Sequence, residues 1–352
     1  MVQFCPEQPP PKEGVKIDRP PISPEYGIEH NPVTPAGPVS TESGKTEKDT
    51  PMIGGFGGAS VDRIFQISHW PEPDRTCYIR SRLTAPGGMT LNALIAAARM
   101  GAPASYLGAL GNDEDGAFLE SCLRDERIIT KFCRRIPEGT TPASQIMTDP
   151  ENRRTIFHDR GIRDCDYRKE LSPPRLEGID VLLLDGSWIC NTLEWAEEAV
   201  RRKIPVVLDL SPNNIHPLRD SLLTLADYPV ISRELASRIT LSDRTEDQPR
   251  MLRERFGGTV IVTCGSEGVW WAGEKGTFHI PAFSVKTVDT TGAGDTFHGA
   301  LAAAVFFRLP LEEAIKTAMA AAALKCTRRG HEGLPDRETL HDFLRTGRSP
   351  GI

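Results

Sequence analysis

The sequence has little that would draw the protein to nucleic acid or to a membrane. Its formal net charge is -6 over 352 residues, so no general attraction to polyanions is expected. No segment approaches the roughly 18 to 20 apolar residues of a membrane-spanning helix. Prolines at positions 9–11 and nearby charges interrupt any apolar start, so a secretory signal is not expected either. We therefore expect no nucleic-acid partner and no membrane partner.

The chain also lacks closely paired cysteines. Its eight cysteines are scattered, and no two of them form a C-x-x-C pair. Metal-binding and redox sites built on that pair are therefore unsupported. Free thiols are typical of a reducing compartment, so we expect a cytoplasmic protein.

The first fifty residues differ in composition from the rest of the chain. They contain ten prolines and many charges but few large apolar side chains. Such a segment buries too little surface to offset the entropy lost on ordering, so residues 1–50 are predicted to be a disordered, Pro-rich extension. The remaining chain has ample apolar material for a core, and we expect one folded domain over residues 51–345.

Short apolar segments alternate with helical ones from residue 180 onward. The segments at 181–186, 206–210, 228–232 and 259–265 are rich in β-forming residues and bounded by turns. This alternation predicts an α/β fold with a mostly parallel sheet and helices on both faces. Active sites in such sheets lie at the carboxyl ends of the strands, so functional residues are expected there.

The most informative stretch runs from Val288 to Ala300 and reads VDTTGAGDTFHGA. The small residues 292–294 suit a tight turn, and apolar residues at helical spacing follow Asp295. The exposed N–H groups of such a turn, together with the helix dipole, form an anion-binding site. A carboxylate beside that site can accept a proton from an attacking hydroxyl. An acidic residue in a first helical turn is also ordinary capping, so a short motif alone decides little.

The complete run resembles the C-terminal signature of the PfkB/ribokinase family of carbohydrate kinases, D-T-x-G-A-G-D. The resemblance implies that Asp295 is the catalytic base and that Gly292, Ala293 and Gly294 form an anion hole for phosphate. It also implies a ribokinase-like three-layer α/β/α sandwich with a mostly parallel central sheet and a small β-sheet lid. The reaction implied is ATP-dependent phosphorylation of a sugar hydroxyl, so the expected protein is a phosphotransferase with an alcohol group as acceptor.

Two further matches to the family imply the sugar-binding residues. Asp62 matches an early Asp that hydrogen-bonds substrate hydroxyls. Gly87, Gly88 and Asn92 match a second signature, in which a Gly-Gly pair is followed four residues later by Asn. Each of these residues alone would be ordinary turn or helix-start chemistry, so the expectation depends on the resemblance.

The nucleotide side is implied by Thr263, Gly265 and Gly268, which match the family's T-x-G-x-x-G loop. The family's N-x-x-E pattern is altered, since Ser232 stands in place of the Asn and Glu234 comes one position early. Ketohexokinase-like members also show serine there, so Ser232 is kept as a nucleotide-binding residue. ATP and Mg2+ are the expected cofactors, because magnesium bridges and neutralises the phosphates.

A monovalent cation is a further expected cofactor. Asp289 and Thr291 match family positions that hold such an ion in many members. The candidate ion is K+, and its remaining ligands would be backbone groups.

A small lid sheet is expected from residues 76–86 and 141–160, which have the alternating pattern of strands. In the family this sheet closes over the sugar and excludes water, which competes for the phosphoryl group. It is also often a dimer contact, so a homodimer through the lid is expected.

The C-terminal third is most similar to the ketohexokinase and sulfofructose-kinase branch of the family. Thr76 and Ser187 nevertheless stand where a sulfonate would need basic residues, so the sugar and the phosphorylated hydroxyl stay open. A nucleoside kinase on the same fold is one alternative, and a catalytically silent sugar- or nucleotide-sensing protein is another. A dinucleotide oxidoreductase is disfavoured, because Ser60 replaces the third glycine of G-x-G-x-x-G.

Overall fold

Parallel strands form the central sheet of the computed structural model, which describes residues 51–348 except 152, 165–167, 173 and 213–215. The extension predicted at residues 1–50 lies outside the described residues. Numbered along the chain, the described strands are β1 (Met52–Phe56), β2 (Ser60–Ile67), β3 (Ile79–Gly87), β4 (Ala104–Tyr106), β5 (Ala109–Gly111), β6 (Arg134–Ile136), β7 (Ala143–Thr148), β8 (Arg154–Asp159), β9 (Ile179–Asp185), β10 (Val206–Leu210), β11 (Tyr228–Ser232), β12 (Val260–Thr263), β13 (Val269–Gly273) and β14 (Gly276–Ile280).

Helices connect most of these strands. The described helices are α1 (Met89–Arg99), α2 (Glu114–Asp125), α3 (Arg168–Leu171), α4 (Ile189–Arg202), α5 (Arg219–Leu225), α6 (Arg233–Thr240), α7 (Gln248–Phe256), α8 (Ala293–Phe306), α9 (Leu311–Lys325) and α10 (Arg337–Thr346). Within the described part of the chain, none of them is long and apolar enough to cross a lipid bilayer.

The central sheet has the strand order β14-β13-β12-β11-β10-β9-β1-β4. The strands from β4 to β12 in this order pair in parallel, and β13 and β14 add an antiparallel edge. The strands predicted at 206–210 and 228–232 are confirmed as β10 and β11. Both are short apolar runs bounded by turns, which is typical of strands buried on both faces.

Side chains of the central strands alternate between two cores. On β9, Val181 and Leu183 join a core with residues of α1, α8 and α9, whereas Leu182 and Leu184 join a core with residues of α4, α6 and α7. This alternation follows from the two-residue period of a strand. Helices therefore cover both faces, and the predicted three-layer α/β/α sandwich with a mostly parallel sheet is confirmed.

A second sheet has the order β3-β2-β7-β8. β2 pairs antiparallel with β3 and parallel with β7, and β7 pairs antiparallel with β8. The strands β3 and β8 lie at the two edges and are largely exposed. The sequence predicted extended segments here but did not place β2 between them, because the partner of a strand is set by contacts far apart in the chain.

One buried carboxylate holds the glycine-rich turn between β1 and β2. Asp185, the last residue of β9, accepts hydrogen bonds at Oδ2 from the Gly58 N–H (2.7 Å) and the Thr90 hydroxyl (2.9 Å). Its Oδ1 accepts from the Ser187 N–H at 2.7 Å, and the residue is fully buried. Thr90 lies in the first turn of α1. Asp185 therefore joins the segments that carry the predicted sugar-binding residues to the end of β9.

Candidate active site

The carboxyl ends of the parallel strands bring several predicted residues to one edge of the central sheet. Ser232 ends β11 and lies opposite Thr263, which ends β12. Asp209 of β10 lies opposite Asp185 of β9. Asp295, at the amino-terminal end of α8, is close enough to these two carboxyl groups for both to raise its pKa. This is the edge where ligands bind in open α/β sheets.

The start of α8 has the geometry of an anion-binding turn. Gly292 caps the helix in the left-handed conformation, with φ 77°, which glycine adopts without strain. The Ala293 N–H donates to the Thr290 carbonyl oxygen at 3.2 Å. The N–H groups of Gly294 and Asp295 have no acceptor among the residues that the structure describes. Of the three predicted anion-hole residues, Ala293 therefore has its amide occupied, and Asp295 contributes one that was not predicted.

Asp295 is oriented by a chain of hydrogen bonds. Asn92 of α1 donates from Nδ2 to Asp295 Oδ2 at 2.8 Å. His331 Nε2 lies 3.0 Å from Asn92 Oδ1 and donates to it in the Nε2–H tautomer. Burial lowers the pKa of His331 to about 4, with Arg99 as the next cause. The imidazole is therefore neutral at physiological pH, and it fixes the amide so that its NH2 group faces Asp295.

The charge on Asp295 is strongly disfavoured. Burial is the main cause that raises its pKa, the Asp209 carboxyl adds to it, and hydrogen bonding from Asn92 and the nearby His298 partly offset it, leaving a pKa of about 7. Burial and the neighbouring Asp185 raise the pKa of Asp209 to about 8. The Asp209 and Asp295 carboxyl groups therefore both resist ionisation.

His298 lies on the next turn of α8 and is buried. Its Nδ1 lies 2.7 Å from the Gly294 carbonyl oxygen and 3.3 Å from Asp209 Oδ2. Burial lowers the pKa of this imidazole. With a proton on Nδ1, the ring donates to the Gly294 carbonyl oxygen and lies beside the Asp209 carboxyl.

The predicted sugar-side residues lie next to one another. Asp62 is half-buried on β2. Burial raises the pKa of its carboxyl, and hydrogen bonds from Ser144 and Ser60 only partly offset this effect. A Cβ placed on Gly87 would lie only 2.4 Å from Asp62 Oδ2, so a larger residue there would displace the Asp62 carboxyl. Gly88 follows at the start of α1, and its carbonyl oxygen accepts from the Asn92 N–H at 3.0 Å. Asp62 therefore lies against Gly87, Gly88 is bonded to Asn92, and Asn92 in turn contacts Asp295.

The predicted nucleotide-side residues form the ends of two neighbouring strands. The Ser232 hydroxyl caps α6 by accepting from the Leu235 N–H at 3.3 Å. Gly265 and Gly268 bound a short helical turn after β12 and have positive φ. Glu234 is exposed and pairs with Arg238 at 2.6 Å. This pairing leaves the altered N-x-x-E motif without an acidic group at the sheet edge.

The predicted cation pair, Asp289 and Thr291, is already engaged by protein donors. The Asp289 carboxylate accepts from the Thr291 N–H (2.9 Å) and the Gly330 N–H (3.0 Å), and it pairs with Lys325 at 3.2 Å. Thr291 Oγ1 accepts from Arg154 at 3.0 Å. Burial alone would raise the pKa of Asp289, but the two N–H bonds and the Lys325 charge outweigh it and lower the pKa to about 2. The expected K+ does not fit this set of residues.

Several residues of this site were not found from the sequence. Asp185 and Asp209 each end or nearly end an apolar strand, in VLLLD and VVLDL, and that position could have marked them. His331 and Lys325 gave no such signal. Their contacts join segments that only the folded chain brings together.

The raised pKa of Asp295 predicts how replacement by asparagine changes stability. Folding favours the protonated carboxyl, so its ionisation opposes folding increasingly from pH 3.8, the ordinary value, to about 7. The free energy of unfolding of Asp295→Asn near pH 8 should therefore exceed that of the wild type by roughly 1 to 3 kcal/mol. This is less than the whole pKa shift would give, because water screens the partly exposed side chain. Denaturant unfolding at several pH values measures this difference.

The difference should vanish below about pH 4, where the Asp295 carboxyl is protonated in both the folded and the unfolded chain. Asp180→Asn, at an exposed position on β9, serves as the control and should change stability little at either pH. An Asp295→Asn protein that is less stable than the wild type near pH 8 would contradict the electrostatic description of the site.

Comparison with known proteins agrees with this geometry. The model of the family described as pfkB family carbohydrate kinase matches residues 58–337. A ribokinase of Haemophilus influenzae is 26% identical over 298 residues, covering 82% of this chain and 97% of that protein. An aminoimidazole riboside kinase of Salmonella typhimurium is 28% identical over 309 residues, covering 82% and 93%.

The fold is shared with solved structures. A ribokinase of Arabidopsis thaliana, solved in complex with ribose and ATP, superposes with a TM-score of 0.74 at 23% identity, covering 84% of this chain and 99% of that one. Ribokinases and sugar kinases are phosphotransferases that use an alcohol group as acceptor. From the family match over most of the folded region, the chain belongs to the pfkB family of carbohydrate kinases.

Proposed function

We propose that the protein transfers the γ-phosphoryl group of ATP to a sugar hydroxyl, with Asp295 as general base. The observation that carries this proposal is the position of Asp295 in the first turn of α8, beside N–H groups that lack acceptors among the described residues. A base whose pKa is near the working pH is well suited to take a proton in the transition state. Burial and the Asp209 carboxyl supply that shift.

The proton and the phosphoryl group move in opposite directions. Asn92 occupies Asp295 Oδ2, so Oδ1 faces the substrate and accepts the hydroxyl proton. The substrate oxygen forms a bond to the γ-phosphorus while the bond to the bridging oxygen of ADP breaks. The N–H groups of Gly294 and Asp295, with the Gly292 turn, neutralise the charge on the transferred group.

The sugar is held by Asp62, Gly87, Gly88 and Asn92 in this proposal. The half-buried Asp62 carboxylate accepts hydrogen bonds from sugar hydroxyls, and the two glycines let the sugar approach the backbone closely. Asn92 contacts Asp295 directly. A hydroxyl bound to these residues therefore lies next to the base.

The nucleotide is held at the other side of α8, by Ser232, Thr263, Gly265 and Gly268. Mg2+ would be held by one or two carboxylates together with the substrate phosphates. Asp209, whose carboxyl lies 3.3 Å from His298 Nδ1, would offer the ion a carboxyl ligand once it is ionised. When bound, Mg2+ supplies positive charge to the phosphates.

The second sheet serves as the lid in this proposal, and it also offers a surface to a second copy of the chain. Large apolar side chains are exposed on or beside its edge strands: Tyr78, Ile79, Leu83, Ile156 and Phe157. A patch of this kind is typical of an interface. We infer a homodimer through the lid, and a monomeric mass in light scattering would contradict it. Cytoplasmic location stays a prediction, consistent with the free cysteine thiols of the described residues.

The function is tested by release of ADP from Mg-ATP across sugars, keto-sugars, sulfosugars and nucleosides. One sugar should be turned over far faster than the other compounds. A preference for a nucleoside would instead support the alternative suggested by the aminoimidazole riboside kinase relative. ATP binding without turnover of any compound would favour a sensor, and absence of ATP binding would contradict the assignment of the α8 turn.

Gly294→Ala separates folding from phosphate binding. A Cβ at Gly294 meets no protein atom within 4 Å, and alanine is the better helix former by up to about 1 kcal/mol. The variant should therefore be as stable as the wild type or more so. Its methyl group would stand at the anion hole but leave the N–H in place, so turnover should fall at least about tenfold, less than the roughly hundredfold or larger loss seen when one such donor is removed.

Gly299→Ala, on the same helix, is the matched contrast. Its Cβ would lie 2.0 Å from the Ala93 carbonyl oxygen, so this variant should lose stability. Unchanged turnover in Gly294→Ala would show that phosphate does not bind at the start of α8.

A further inference from the structure

One lysine is buried next to the turn that leads into α8. Lys325 is the last residue of α9, and only 2% of it is exposed. A buried ammonium group requires partners, because an unpaired charge away from water is strongly destabilising. Its Nζ donates to the carbonyl oxygen of Asp289 at 3.1 Å and to Asp289 Oδ2 at 3.2 Å.

The end of α9 is tied to the same turn through the backbone. The N–H groups of Val288 and Asp289 donate to the Cys326 carbonyl oxygen at 2.8 and 3.2 Å. A Cβ placed on Gly292 would lie 3.9 Å from Lys325 Cε. The same Cβ would lie 3.9 Å from Asp295 Oδ2, so the lysine side chain lies against the turn that carries the proposed anion hole.

Asp289 is the residue for which the sequence predicted an exchangeable monovalent cation. The ammonium of Lys325 binds its carbonyl oxygen and its carboxylate, which are the two kinds of oxygen that such an ion would use. An ammonium group carries the same single charge as K+. It is linked covalently to α9, so it is neither lost nor exchanged.

We propose that the Lys325 ammonium is a built-in cation that replaces an exchangeable K+ next to the α8 turn. It holds Asp289 in place and adds a fixed positive charge near the anion hole. Lys325 is thus a positioning residue for phosphoryl transfer. This role of Lys325 rests on the proposed kinase function, and it predicts that turnover does not depend on K+.

The first test compares the wild-type protein in KCl, NaCl and choline chloride at one ionic strength. Two quantities are measured: the melting temperature without ligands, and the rate of ADP release with the preferred substrate. Both should be nearly the same in all three salts, with less than about a twofold change in rate, whereas an activating effector commonly changes affinity by about fivefold or more. A saturable rise of the melting temperature or of the rate with K+ would overturn the proposal.

The second test removes the ammonium in two ways. Lys325→Ala opens space for an ion beside Asp289, whereas Lys325→Met removes the charge and keeps most of the volume. Both should lose turnover with a smaller change in the KM for the sugar, since the sugar residues are not touched. K+ should restore the melting temperature and the rate of Lys325→Ala in a saturable way, and it should not restore Lys325→Met.

Lys316→Met is the matched control, because Lys316 lies on the same helix with its side chain exposed. This variant should resemble the wild type in every salt. Equal K+ responses of Lys325→Ala and Lys325→Met would show that Lys325 is an ordinary structural partner of Asp289. If Lys325→Ala does not fold, the wild-type salt comparison and Lys325→Met still decide the question.

The two proposals fail in different ways. A protein without kinase activity whose melting temperature is indifferent to K+ would contradict the function but not the built-in cation. An active kinase whose ligand-free melting temperature rises with K+ would contradict the built-in cation alone.

Discussion

The site depends on the hydrogen bonds that the buried carboxylate of Asp185 accepts. They hold Gly58 in the glycine-rich turn, Thr90 at the start of α1 and Ser187 after β9. They tie the segments bearing the sugar-side residues to the end of β9, a strand of the central sheet. By accepting these bonds, the Asp185 carboxyl gives partners to buried donors that would otherwise be unsatisfied.

Burial at this edge of the sheet also disfavours the ionised forms of the neighbouring Asp209 and Asp295 carboxyl groups. Asp209 lies opposite Asp185 in the sheet, and its own burial and that neighbour raise its pKa to about 8. The pKa of Asp295 is likewise raised, by its own burial and by the Asp209 carboxyl. Clustered acidic groups that resist ionisation are unfavourable for folding, but they suit a site that must accept a proton and bind cations with phosphates. The acidic residues at the edge of the sheet therefore lower the stability of the fold while they serve the reaction.

Local sequence predicted much of the fold. The strands at 206–210 and 228–232 are found at those residues, because apolar runs between turns have few alternatives. The start of α8 was also predicted, since its glycine turn and its helical pattern are both local. The position of β2 between β3 and β7 was not, because strand pairing is decided by segments far apart in the chain.

The side-chain partners in the site were the hardest to predict. Asn92 was expected to face the sugar, and its amide also links Asp295 to His331, which is 239 residues away in the chain. Lys325 lies in an alanine-rich helix, and its sequence neighbours do not indicate that it ends against Asp289. Such contacts depend on how α1, α8 and α9 pack, and no short motif encodes that packing.

The most direct measurement is single-turnover phosphoryl transfer by Asp295→Asn compared with the wild type, at saturating Mg-ATP and substrate. Asparagine keeps the shape and the contact with Asn92 but does not accept the proton. The rate should fall by about two to four orders of magnitude, the usual contribution of a general base, while ATP still binds. Transfer at a near-normal rate would contradict the account, because the base would then lie elsewhere.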